Sequence, residues 1–89
     1  MSRCKVKAVD NDCAIFIGLD SMLGDWFFQK FAVHPKTGEQ TMEYLLDTRS
    51  KSKIVDLLHV HCDMSDSYTA ACVNAIACDV DPGKVKYNV

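Results

Sequence analysis

The stretch Leu57–Asp66, LLHVHCDMSD, places His59 and His61 one residue apart, with Cys62 and Asp63 directly behind them. Imidazole and thiolate are the usual zinc ligands. A structural zinc site, however, draws four of them in close pairs spaced C-x2-4-C or H-x3-5-H. The available set is His59, His61, Cys62, Cys72 and Cys78, and no pair within it has either spacing. On a strand, the two histidines would share a face. On a helix, a two-residue step separates them by roughly 200°, with His61 joining the apolar stripe and His59 at its edge. The helical frame is preferred, so His59, His61 and Cys62 are the residual metal candidates and no metal or cofactor is expected. Cys62 is also a poor nucleophile, because consecutive helical residues point about 100° apart and His61 would not face its thiol. The chain lacks G-x-S-x-G, H-E-x-x-H and a phosphate loop, and its acidic clusters do not complete a calcium loop. No enzymatic activity is expected.

The second candidate is GLDSMLGDWFF, Gly18–Phe28. Loops between strands are normally polar because they lie in water, yet this one carries Met22 and Leu23 with Trp26 just beyond. One reading has Met22 and Leu23 folding back over the core. The other makes them an apolar tip for docking on a protein, with Trp26 as anchor and Asp20 and Asp25 as flanks. Tryptophan and methionine are both favoured at binding surfaces, so Asp20, Met22, Leu23, Asp25 and Trp26 form the candidate partner-binding set.

The third candidate is basic. CKVKAV and GKVKYN echo each other, and if the first and last strands are neighbours, Arg3, Lys5, Lys7, Lys84 and Lys86 share a face suited to phosphate. The alternative is edge strands guarded by lysine against aggregation, and no aromatics interleave with these lysines in sequence as stacking platforms. Finally, Asp10, Asp12, Asp20, Asp25, Asp63, Asp66, Asp79 and Asp81 fall at element ends, where aspartate caps helices and opens turns. Were several to converge, they would form a negative patch able to compete for a nucleic-acid channel.

The elements that must hold these residues follow from periodicity. CKVKAVD alternates apolar and basic, as a half-buried strand does. Asp10–Asp12 is turn chemistry, and CAIFIGLD is apolar on both faces, the pattern of a strand covered on both sides. WFFQKFAVH and TMEYLLD are predicted to form a hairpin around PKTGEQ, with Met42, Tyr44 and Leu46 on one face. Ile54, Leu57, Leu58 and His61 then follow helical spacing behind a Ser50 or Ser52 cap. A second helix begins at Ser65 or Ser67, with Tyr68, Ala71, Cys72, Ala75 and Ile76 as its stripe. DPG ends it, and KVKYNV closes the chain as a strand.

The sequence therefore predicts a small single α+β domain over residues 1–89. An antiparallel sheet of four or five strands, in the order β-β-β-β-α-α-β, carries two helices on one face. The 89 residues are 48% apolar and 25% charged, with a formal charge of −2, which is folded rather than disordered and not broadly basic. The N-terminus has no signal-peptide core, no run approaches the roughly 18 apolar residues of a span, and five cysteines without an export signal suit a reducing cytoplasm. The expected function is non-enzymatic: a protein-binding module or stand-alone inhibitor of a host enzyme or complex, of the kind a phage or other mobile element encodes against nucleic-acid enzymes. A nucleic-acid or phosphate binder using the basic face is the alternative, and a zinc-stabilised module the second. No membrane partner is expected, and homodimerisation fits a small domain with an apolar loop or an edge strand.

Overall fold

The computed structural model describes residues 2–20 and 22–85. Four strands, β1 (Ser2–Val6), β2 (Cys13–Asp20), β3 (Asp25–Val33) and β4 (Gln40–Thr48), form one antiparallel sheet in sequential order. Its register pairs Cys4 with Ile17, Ile17 with Phe28, and Phe28 with Leu46. Because side chains alternate across a sheet, this row and its even-spaced neighbours point the same way. Cys4, Val6, Ile15, Ile17, Trp26 and Phe28 pack with helix residues into the core. The opposite face carries Arg3, Lys5, Ala14, Phe16, Gly18, Phe27, Gln29, Phe31, Leu45 and Asp47.

The strand over TMEYLLD departs from simple alternation. Lys30 pairs with Tyr44 but Phe31 pairs with Met42, so Glu43 is an extra residue on β4. This bulge turns Met42 onto the opposite face from Tyr44 and Leu46, against the expectation that all three share one. Glu43 is left beside Lys30, 3.9 Å from its Nζ.

Helices α1 (Lys51–His61) and α2 (Ser67–Ala77) lie over one face. In α1, Ile54 and Leu58 are buried as the stripe requires, while Ser50 stands at the N-cap without a side-chain bond to the helix. In α2 the cap is Asp66, not Ser65 or Ser67, and the buried stripe is Thr69, Cys72, Val73 and Ile76. That stripe is offset from the predicted Tyr68–Ala71–Ala75 line because the Thr69 hydroxyl is satisfied. It donates to Asp66 Oδ2 at 2.9 Å and accepts from the Lys7 backbone N–H at 2.9 Å. Beyond β1 the chain also clasps the turn between the helices, through Val9 N–H to His61 O and Asp63 N–H to Lys7 O, both 2.9 Å.

Past α2, Asp79 adopts the left-handed conformation (φ 60°), and its carboxylate meets Lys51 Nζ at 2.9 Å. Pro82–Lys84 form a 3-10 turn capped by Asp81, so Lys84 belongs to no strand. The rest of the predicted last strand, residues 86–89, lies outside the described residues. Among the described residues, no helix is long and apolar enough to cross a membrane.

Removing the α2 cap tests this anchoring. Asp66→Ala should cost about 1–2 kcal/mol. Thr69→Val, which leaves the Lys7 N–H without its acceptor, should cost about 1–3 kcal/mol. The pair should be less than additive because they share one network. Urea unfolding measures all three, and Ser67→Ala should be nearly silent.

Candidate protein interface

The histidine–cysteine stretch is dispersed by the fold. His59 is exposed on α1, and His61 turns inward to lie against Phe28, ring centroids 5.7 Å apart. Cys62 is buried in the core beside its bridge to Ala8. Among the described residues, no three His, Cys, Asp or Glu side chains converge as a metal-holding group. All five cysteines are free thiols. Burial pushes the Cys62 thiol up to about 12. Cys4, whose sulfur donates to Cys72 at 3.9 Å in the core, is also raised by that bond and by burial. Cys62 and Cys4 favour their neutral form, the reverse of an activated nucleophile, while the bond from Cys4 holds Cys72 below its ordinary value.

The basic residues do not form the predicted group. Among the described residues β1 is an edge strand paired to β2, and Lys84 stands in the turn after α2. Lys7 meets Asp63 at 3.5 Å, and Lys86 lies outside the described residues. Arg3 and Lys5 remain, on the sheet face away from the helices. There the Arg3 guanidinium sits 4.0 Å above the Phe16 ring, which meets Phe31 edge-on at 5.7 Å. Aromatics thus do interleave with the basic residues, from neighbouring strands rather than from the same one.

The apolar loop divides. Met22 is 94% exposed and Leu23 65%, whereas Trp26 is 7% exposed within the helix-side core. Trp26 is therefore a packing residue and no surface anchor, because its pairing with Leu19 fixes it on the covered face. The tip is held by the Asp20 carboxylate and carbonyl. Asp20 Oδ1 accepts from Met22 N–H at 3.1 Å and Leu23 N–H at 3.3 Å, and Gly24, at φ 72°, donates to Asp20 O at 2.7 Å. Such a pre-formed turn presents Met22 and Leu23 at little further entropic cost on binding.

Beside the tip, on the helix-free face, lies a hollow of about 240 Å³ lined by Asp20, Leu23, Asp25, Phe27, Gln29, Leu45 and Asp47. Its floor is apolar and its rim holds three carboxylates, of which Asp25 meets the exposed Arg49 at 3.4 Å. Among the described residues, the buried Gln29 Oε1 there meets no hydrogen-bond donor. Of the acidic residues singled out in sequence, Asp20 and Asp25 are directly paired across the hairpin, and Asp47 joins them from β4. Asp10 and Asp12 line a separate hollow with Lys30 and Glu43.

Sequence reasoning missed Phe16, Phe27, Gln29, Phe31, Met42 and Leu45. The signal was present in CAIFIGLD, whose apolar residues on both faces suggested two covered sides. Among the described residues both helices lie on the Ile15–Ile17 side; on the other face Ala14, Gly18 and Phe27 are nonetheless buried, and Phe16, Gln29 and Phe31 are half-buried. Comparison with protein-family models, curated proteins and solved structures gave no match to this chain.

Thiol accessibility checks this placement. With a maleimide at neutral pH, Cys78 should label first and Cys13 next, while Cys4, Cys62 and Cys72 react only on unfolding; mass mapping of the adducts reads the order. Because Cys62 is raised in the folded state, its contribution is intact below the unfolded thiol pKa of about 8.5 and is lost as pH rises toward about 12. Urea midpoints should accordingly fall above about pH 9, and a Cys62→Ala variant should fall less steeply.

Proposed function

We propose that this chain is a non-enzymatic protein-binding module that docks through the Met22–Leu23 tip and its carboxylate flank. The observation that carries the reading is the pair of apolar side chains held out in solvent by a hydrogen-bonded turn, beside Asp20 and Asp25. Exposed apolar groups rimmed by charge mark interaction sites. The fitting partner is a protein with an apolar cleft and a basic border. Convergence of Asp20, Asp25 and Asp47 at one end of the sheet favours the finer reading of a small inhibitor, with carboxylates occupying a basic groove that otherwise holds nucleic-acid phosphates, as a phage-type inhibitor of a host nucleic-acid enzyme would. Five free thiols suit a reducing cytoplasm.

A second reading rests on Arg3, Lys5, Phe16 and Phe31. A cationic edge beside two half-buried aromatic rings, one of them already under the Arg3 guanidinium, is the feature that would serve single-stranded nucleic acid, with bases stacking and phosphates paired. The acidic side of the same face opposes it.

Affinity capture from nuclease-treated host lysate, with the whole tagged chain, separates the two. A partner retained through nuclease and high salt should be lost, by about tenfold or more, with Met22→Asp plus Leu23→Asp, and kept with Lys5→Glu. Retention by the tip variant would overturn the tip as the docking site. Capture of nucleic acid that falls steeply with salt and fails with Lys5→Glu would transfer the function to the second reading.

A further inference from the structure

The uncovered sheet face is complementary to itself, and we propose that it is the interface of a homodimer. The two copies pack face to face about a two-fold axis running parallel to the strands, between β2 and β3. The strand register fixes what such an axis brings together. Arg3, Gly18, Phe27 and Asp47 lie in one row across the four strands; Lys5, Phe16, Gln29 and Leu45 lie in the next. In a third, Ala14 stands beside Phe31, which pairs with Met42.

Rotation about that axis lays β1 over the partner's β4 and β2 over the partner's β3. Arg3 then faces the partner's Asp47, and the reverse contact repeats at the other edge. Each bulky position meets a small or polar one: Phe31 opposes the partner's Ala14, and Phe27 opposes the partner's Gly18. Phe16, with the Arg3 guanidinium stacked 4.0 Å above its ring, opposes the partner's Gln29. The other in-plane two-fold, perpendicular to the strands, lays β1 over β1 and sets Arg3 and Lys5 against their own copies. Like charges brought together in this way disfavour it.

The area is adequate for a modest dimer. Strands about 4.8 Å apart, rising about 3.4 Å per residue, give a footprint on the order of 500 Å² per copy. Two copies then bury on the order of 1,000 Å², the lower bound of a specific interface. Leu45 and Met42, 50% and 46% exposed in the single chain, are covered. The axis also brings both Met22–Leu23 tips to the same end of the dimer, although the pairing does not depend on what those tips bind.

Sedimentation equilibrium of the whole chain, from about 1 µM to about 500 µM near physiological salt, tests the proposal. A monomer–dimer equilibrium with a dissociation constant on the order of 10–100 µM is expected. Arg3→Glu and Asp47→Arg should each weaken it by about tenfold or more, and the double variant should recover to within about threefold, because the swapped charges meet again across the two-fold. A chain that stays monomeric throughout overturns the proposal whatever the variants do. So does a dimer that ignores both single changes, or one that both weaken and the double change does not restore. Circular dichroism of each variant confirms that the fold is kept, and a variant that unfolds is replaced by Arg3→Gln or Asp47→Asn, each of which should weaken the dimer in the same direction.

Discussion

Two eleven-residue helices can cover one face of a four-stranded sheet and no more. Each is about 16 Å long and about 10 Å across, so side by side they match the roughly 19 Å width of four strands once. Everything distinctive about the molecule follows from that single covering. The core forms where Ile15, Ile17 and Phe28 meet Ile54, Leu58, Cys72 and Ile76. The other face carries three phenylalanines, Phe27 buried and Phe16 and Phe31 half-buried, and among the described residues no helix lies over it. Chains of this size bury a smaller share of their surface than larger domains do, and here exposed large apolar side chains lie on that face (Met42, Leu45), at the β2–β3 loop (Met22, Leu23) and elsewhere (Val9, Tyr44, Val60, Val80).

Directional bonds set where the helical layer sits. Asp66 caps α2 and holds the Thr69 hydroxyl, which in turn accepts the Lys7 N–H. The turn between the helices is clasped to the end of β1 by two backbone bonds. Lys51, at the start of α1, closes the other end by reaching both the Ala77 carbonyl and the Asp79 carboxylate at 2.9 Å. The position favours a cation, since helix C-termini carry partial negative charge. Held at both ends, the layer stays over the Ile17 face and leaves the Phe16 face open.

The first four strands, the two helices and their order were legible because their apolar spacing is local. What was not legible depended on pairing. WFF contains aromatics for both faces, and only the partnership of Trp26 with Leu19 decides that Trp26 goes inward and Phe27 outward. The extra residue at Glu43 has no local signature, yet it moves Met42 across the sheet. Asp20 and Asp25 could be expected together as hairpin partners, whereas the arrival of Asp47 required the β3–β4 register. Asp66 prevailed over Ser65 and Ser67 as cap because it alone can serve both the Thr69 N–H and hydroxyl. Arg3 and Phe16 are thirteen positions apart in sequence and become neighbours only through the sheet, which is why the basic strand, read alone, lacks aromatic company.

The most direct measurement is hydroxyl-radical footprinting of the chain, free and bound to its captured partner, read residue by residue by mass spectrometry. Met22 and Leu23 should be reactive in the free chain and protected in the complex, while His59 and Val60 on the outer side of α1 stay reactive in both. Protection of His59, Val60 and Tyr44 with Met22 unchanged would place the working surface on the helical side and contradict docking through the Met22–Leu23 tip.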